Sequence, residues 1–262
     1  MQTNIQSNDQ LNKRLGILNN FRVVLCQTSH PGNIGSAARA MKTMGISSLY
    51  LVNPGSFPDA HATALSTGAA NLLENAIVCT SLTEALTGCA FAIGLSARKR
   101  QLSHELLTTR QAAGRAIEIA ASQPVALVFG TEMSGLSNAE LDCCQMLAMI
   151  PANPEYSSLN LAAAVQVMCY ELRMAVLESA DFPLELSPNK TNELATIDSI
   201  EGFYAHLEET LLYIGYLNPA APKKLMERIR RIYARTRLEK EEVNLLRGIL
   251  TLTKVPRKHD KY

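Results

Sequence analysis

The sequence predicts an α/β domain built on a mainly parallel sheet, followed by a smaller helical unit. Three observations carry this expectation. Short apolar runs recur at Arg22–Cys26, Leu49–Val52, Ile77–Cys79, Ala90–Gly94, Val125–Phe129 and Leu147–Ile150. Segments with helical spacing lie between them, and the runs are continuously apolar, as in strands covered on both faces. Beyond a polar stretch carrying Pro183, Pro188 and Asn189, the apolar spacing is helical only.

The first run leads into the turn Gln27-Thr-Ser-His-Pro-Gly-Asn33 and a helix over Ile34–Met44, with Asn33 placed as its cap and Gly45 as its stop. Further helices are expected at Leu82–Leu86, Arg110–Ala121, Asn138–Cys144 and Leu159–Leu177. The tail carries Ile200–Leu212, Ala221–Ala234 and Lys240–Leu252. The expected organisation is a disordered extension over 1–20, a sheet domain over 21–178, a linker over 179–199 and a helical unit over 200–262.

Composition narrows the function classes. The chain has 262 residues, 47% of them hydrophobic, and no stretch approaches the ~20 apolar residues of a membrane span. Its polar start has no apolar segment of the kind that directs secretion. Six cysteines without CxxC spacing point to reduced thiols in a cytoplasmic protein, and five scattered histidines give no metal spacing. There is no G-x-S-x-G elbow, no GxGxxG and no GxxxxGK[ST]. Net charge is +1, yet Lys223 to Arg237 holds seven Lys/Arg against one acid, Glu227. That segment reads as a polyanion-facing element. Arg228, Arg231 and Arg235 fall at i, i+3, i+7 on one helix face, with Leu225, Ile229 and Ile232 on a packing face.

Three segments could carry chemistry. Residues 150–167 run from a Pro-stiffened loop rich in hydroxyls and amides into a helix that opens with Ala162, Ala163 and Ala164. Ser157 or Ser158 can cap that helix, and the combination suits a pocket that holds a ligand by main-chain hydrogen bonds. In the first helix, Ile34, Ala38 and Met41 share one face and Gly35, Arg39 and Lys42 another, with the glycine leaving room beside Arg39. This face is either a phosphate-binding surface or a solvated basic one. The run Val125–Phe129 ends in Gly130 and presents Glu132 before Gly135, and Ala92–Arg98 likewise ends a strand in small residues. Strand ends of this character make a cleft in an open α/β sheet.

The wording of these segments, NxGSxARAMKTMG, FGxExxGL and NPEYSSLNLAxAVQV in that order, resembles the SpoU/TrmH branch of the SPOUT RNA methyltransferases. Within that branch it is most similar to the enzymes that methylate the ribose 2′-oxygen of tRNA nucleotide 32. The resemblance runs from Phe21 to Ala175, and the helical tail is similar to the extension of that group. It implies a trefoil knot at the C-terminal side of the sheet, a cytoplasmic homodimer with sites at the subunit interface, and S-adenosylmethionine as cofactor. Matching positions give the cofactor Leu95, Ser96, Ala97, Gly130, Ile150, Ser157, Ser158 and Leu159. Arg39 takes the central catalytic role, with Asn33, Glu132, Ser158 and Asn160 shaping the site. Lys42, Arg228, Arg231 and Arg235 face tRNA, and neither a metal, DNA nor a membrane is expected. One departure stands out: Thr131, Met133 and Ser134 surround Glu132 where the family carries basic residues. Competing readings are ribosomal RNA as the substrate, and a catalytically silent RNA-binding protein.

Overall fold

The computed structural model describes residues 12–97, 106–178 and 193–254. The chain divides into two compact units, Met1–Ser187 and Pro188–Tyr262.

The first unit is a seven-stranded sheet in the order β3-β2-β1-β6-β4-β7-β5, with β1 Phe21–Cys26, β2 Ser48–Val52, β3 Ile77–Cys79, β4 Phe91–Leu95, β5 Leu106–Thr108, β6 Val125–Phe129 and β7 Met146–Met149. Every pairing is parallel. β4 and β6 are buried at every position, which explains their unbroken apolar sequence. Phe21, Phe91 and Phe129 are fully buried, and each such ring contributes ~2–3 kcal/mol by leaving water. Registers such as Leu25↔Phe129 and Gly94↔Val128 place the carboxyl ends of β1, β6 and β4 side by side, and Leu95↔Ala148 adds β7. Segments about a hundred residues apart therefore meet at one edge of the sheet.

The helix Pro31–Met44 packs against Ala60–Ser66 and Leu161–Glu178, and the latter also packs on Thr109–Ala120. Pro31 opens the first of these, so the helix starts three residues before the expected Ile34, and Gly45 ends it in the left-handed region at φ 86°. Several short elements were not expected, among them Ala60–Ser66, Thr67–Ala69, Ala70–Glu74 and β5. Ala60–Ser66 has no apolar stripe, burying only Ala62 and Ser66, and β5 is a three-residue strand paired to β7 alone.

Part of the extension expected to be disordered is ordered. Gly16–Asn20 forms a 3-10 helix, Leu18 is buried in the core, and the Asn20 side chain donates to the Ala120 carbonyl at 2.7 Å. The apolar residues Leu15, Ile17 and Leu18 give this segment something to bury. Residues 1–11 of that extension, Arg98, and residues 179–192 of the expected linker lie outside the described residues. The six cysteines, all among the described residues, form no disulfide, and burial pushes the Cys169 thiol up to about 12.

The second unit holds the helices Ile197–Tyr213, Leu225–Ala234 and Lys240–Thr253 around Phe203, Tyr204, Leu238 and Val243. It begins before residue 200, since Ala195 N–H donates to the Leu238 carbonyl and Lys240 N–H to the Glu193 carbonyl. The middle helix starts at Leu225 rather than Ala221 because Lys223 and Lys224 take positive φ of 45° and 58°.

Candidate active site

Four loops leave the carboxyl ends of β1, β4, β6 and β7. The loop after β6 folds on itself: Gly135 N–H donates to the Thr131 carbonyl, Ser134 N–H to the Thr131 hydroxyl, and Gly135 takes φ 69°. Gly130 permits this, since a Cβ there would lie 2.1 Å from the Gly135 carbonyl carbon. The β4 end is fixed by Ser96 N–H donating to the Ala148 carbonyl, and the β7 loop by an Asn153 turn that takes the Glu155 and Tyr156 N–H groups.

The loops after β4, β6 and β7 line a cavity of about 310 Å³, within the range of small-molecule sites. All eight residues expected to hold the cofactor line it: Leu95, Ser96, Ala97, Gly130, Ile150, Ser157, Ser158 and Leu159. Sequence reasoning missed Phe129, Leu161 and Ala164, which also line it and carried no signal beyond being apolar. Apolar walls from Leu95, Phe129, Ile150 and Leu159, with hydroxyls at Ser96, Ser157 and Ser158, suit an adenosine-sized ligand with a flat base and a polar sugar.

A chain of hydrogen bonds joins this cavity to the first helix. Glu132, in the cavity wall, accepts from four donors: Ser29 N–H at 3.2 Å, the Ser29 hydroxyl at 3.1 Å, His30 N–H at 3.2 Å and the Asn33 side-chain amide at 3.0 Å. Asn33 in turn accepts from the Asn160 amide at 2.9 Å, and the Asn160 oxygen takes Ala162 N–H at 2.9 Å. Partial burial would raise the Glu132 pKa, but the hydrogen bonds from Asn33 and from backbone N–H groups including those of Ser29 and His30 outweigh it. They hold the carboxyl at about 2. Glu132 is therefore a carboxylate with its acceptor sites filled, a clamp between loops. Ser29 is a member of this clamp that sequence reasoning also missed, although a hydroxyl just ahead of a helix start is a recognisable donor.

Several local expectations are corrected by this geometry. Asn33 does not cap its helix; His30 holds the cap position, and the Asn33 side chain is taken by Glu132 and Asn160. Asn160, not Ser157 or Ser158, caps the helix Leu161–Glu178. Gly35 leaves no room beside Arg39: a Cβ there would lie 2.0 Å from the Ala62 carbonyl oxygen, so the glycine admits the neighbouring helix. Lys42 is committed locally, donating to the Gly68 carbonyl and the Asn71 side chain at 2.6 Å each. Arg39 is exposed and has no hydrogen-bond or ion-pair partner among the described residues, nor does it line the cavity. Among the described residues no group of three His, Cys, Asp or Glu could hold a metal, and no helix is long and apolar enough to cross a membrane.

The expected faces of the basic helix also shift. Arg228 and Arg235 are exposed, but Ile232, expected to pack, is 52% exposed, and the Nε of Arg231 is buried. Tyr233 packs instead, edge-on to Phe203 at 5.0 Å, and Arg230 pairs with both Glu201 oxygens while lying over the Tyr204 ring.

Comparison with known proteins gives concordant matches to both units. The SpoU rRNA Methylase family matches residues 20–170, and the C-terminal domain of the tRNA methyltransferase TrmJ matches residues 198–261. The chain is 50% identical over 243 residues to the tRNA (cytidine/uridine/adenosine-2′-O-)-methyltransferase TrmJ of Pseudomonas aeruginosa (strain UCBPP-PA14), covering 90% of this chain and 95% of that protein. It is 47% identical over 246 residues to the tRNA (cytidine/uridine-2′-O-)-methyltransferase TrmJ of Yersinia enterocolitica, covering 94% and 95%. Among solved structures, TrmJ from Z. mobilis ZM4 superposes with a TM-score of 0.78 at 29% identity, over 89% of this chain and 99% of that one.

Proposed function

The chain belongs to the SpoU rRNA methylase family, and from that premise we propose how its site works and where on the substrate it acts. It is a tRNA ribose 2′-O-methyltransferase that uses S-adenosylmethionine. The ribosomal RNA alternative loses to the TrmJ C-terminal domain and to full-length relatives named for tRNA. The silent RNA-binding alternative loses to the same relatives, which are named as methyltransferases. The relatives' names differ in the bases accepted, adenosine being added in one, and base tolerance is a property to measure on this chain.

The observation that best supports the mechanistic reading is the junction of the cavity with the Glu132–Asn33–Asn160 chain. When bound in the cavity, S-adenosylmethionine supplies a methyl group on a sulfonium. Ser96, Ser157 and Ser158 would offer hydrogen bonds to its polar groups, and Leu95, Ile150 and Leu159 would give its base apolar walls. Transfer forms a bond from the methyl carbon to the ribose 2′-oxygen as the carbon–sulfur bond breaks, and the hydroxyl proton leaves to solvent. Arg39 orients the ribose and stabilises negative charge as it builds on that oxygen. It does so as a cation, because a guanidinium does not give up its proton near neutral pH. Glu132, held at about 2 and saturated with donors, positions the loops and does not act as a base.

An arginine held in solvent, off the cavity wall, fits a site completed by a second copy of the chain. The working unit in this reading is a cytoplasmic homodimer, knotted as its family is, in which Arg39 of one protomer serves the cavity of the other. The target is nucleotide 32 of the anticodon loop, with Arg228 and Arg235 on tRNA phosphates. Two measurements test the reading. Calorimetry must detect S-adenosylmethionine binding that Ser158→Ala weakens. Ribose-methylation mapping of tRNA from a deletion strain must show one anticodon-loop methyl group missing, and an unchanged map refutes the assignment.

A further inference from the structure

A second concavity, of about 400 Å³, opens beside the first and is lined by His30, Asn33, Ser36, His61, Leu65 and Asn160. None of the groups named above for the cofactor lines it, yet Asn33 and Asn160 stand in its wall while their hydrogen-bond chain leads to Glu132. We propose that this concavity is the subsite for a backbone phosphate of the RNA strand, next to the ribose that is methylated. The proposal rests on the methyltransferase reading and adds residues to it.

Four observations point to a phosphate. No carboxylate lines the concavity, whereas two imidazoles, a hydroxyl and two carboxamides do. Such side chains are the usual neutral partners of nucleic-acid phosphates. The nearby carboxylates are both occupied: Glu132 by its four donors, and Asp59 by His61 N–H at 2.8 Å and the Ser56 hydroxyl at 3.0 Å. The imidazoles of His30 and His61 and the hydroxyl of Ser36 make no hydrogen bond to any described residue, so their donors and acceptors remain available.

The second observation is that the exposed His61 ring lies against the first helix. A Cβ on Gly32 would lie 3.3 Å from His61 Cε1 and 2.9 Å from Leu65 Cδ1, so the ring and Leu65 lie against bare helix backbone. Third, Gly32, Ser36 and Arg39 fall at i, i+4 and i+7 on one stripe of the helix Pro31–Met44. Arg39 thus follows Ser36 by one turn on that stripe, although it does not itself line the concavity. Fourth, the 2′-oxygen and the 3′-phosphate sit on neighbouring carbons of one ribose. A phosphate held by His30, Ser36 and His61 therefore delivers the acceptor oxygen within one nucleotide of the same anchor.

The test uses full-length dimeric protein and full-length tRNA with a single methylphosphonate at the 3′-linkage of the methylated nucleotide, compared with unmodified tRNA. His61→Ala and His30→Ala should each raise KM for unmodified tRNA about tenfold, the scale of one lost charge-assisted hydrogen bond. Their kcat and S-adenosylmethionine affinity should stay within about twofold of wild type. Methylphosphonate should cost wild type about tenfold and cost His61→Ala nothing further. Equal losses on both tRNAs in wild type and variant overturn the subsite, as does a change in dimer affinity with the methylphosphonate effect intact. A wild-type protein that methylates no tRNA sinks the catalytic reading instead. In that case inorganic phosphate titrated against 15N-histidine-labelled protein still decides the subsite: saturable shifts at His30 and His61 uphold it, and none overturns it.

Discussion

Replacing Glu132 by Gln separates its electrostatic role from its shape. The four donors converging on the carboxylate, from Ser29, His30 and Asn33, need acceptors on both oxygens. Gln keeps one acceptor oxygen and turns the other position into an NH2 group that faces two donors. The folded carboxyl sits at about 2 against an ordinary 4.5. At 1.36 kcal/mol per pKa unit that drop is worth roughly 3 kcal/mol, which solvent near this partly exposed group reduces to about 2. Because the folded value is depressed, the contribution is complete above the unfolded pKa of 4.5 and is lost as pH falls toward 2. The difference in unfolding free energy between wild type and Glu132→Gln should thus be flat from pH 8 to 6. It should shrink by about 1.4 kcal/mol by pH 3.5, where the unfolded carboxyl is already protonated and the folded one is not. Denaturant titrations of both proteins at pH 7, 6 and 3.5 read this directly, since Gln does not titrate and the other acids cancel. A difference that stays flat down to pH 3.5 would mean an ordinary carboxyl and would refute the clamp. In the same samples at pH 7, S-adenosylmethionine affinity should fall about tenfold, because the loops that hold Gly130 and Asn160 are no longer tied.

Three further outcomes are expected. Arg39→Ala and Ser158→Ala should each be inactive alone, yet an equal mixture should recover about a quarter of wild-type turnover through heterodimers with one intact site; no recovery in a verified heterodimer counts against shared sites. Gly35→Ala should cost about 3 kcal/mol in denaturant stability, because its Cβ meets the Ala62 carbonyl and one of two packed helices must move; a change below about 0.5 kcal/mol would show the contact to be soft. Arg228→Ala with Arg235→Ala should flatten the log–log salt dependence of tRNA binding by about 1.4 to 1.8, whereas Arg230→Ala should lower the melting temperature of the C-terminal unit through loss of its Glu201 pair.

The sheet was legible because its central strands are buried on both faces, and burial on two faces demands unbroken apolar runs such as Val125–Phe129. β5 and Ala60–Ser66 escaped notice for the opposite reason. A three-residue edge strand and a seven-residue helix of small residues leave no periodic trace, since their burial comes from neighbours distant in sequence. The segments that line the cavity were legible from their strand ends and polar loop, but the individual cofactor residues came through the resemblance: nothing in the spacing of Leu95, Gly130 and Ile150 says that their strands lie adjacent. What failed was the role of single residues whose partners come from elsewhere. Gly35 read as open space from its own helix, and only the Ala62 backbone across from it shows why it must be glycine. Lys42 read as a free cation until the loop around Gly68 and Asn71 came to meet it.

Those corrections bear on where the proton goes. Glu132, Asn33 and Asn160 were expected to shape the site, and they are bonded to one another and to the backbone inside the fold. A carboxylate at about 2 that already accepts four hydrogen bonds has neither the basicity nor the free lone pair to deprotonate a ribose hydroxyl. Arg39 cannot do so either, being a cation at any working pH. What remains unengaged on the helix it shares is Ser36, with His30 and His61 beside it, and of these side-chain types only imidazole ordinarily serves as a base near neutrality. The acceptor for the proton in this reading is solvent, as above, and an imidazole lying against the bound phosphate is the alternative to it. The two histidine variants separate these, because loss of a proton acceptor lowers kcat and bends its pH profile, while loss of a phosphate contact raises KM and leaves the profile in place.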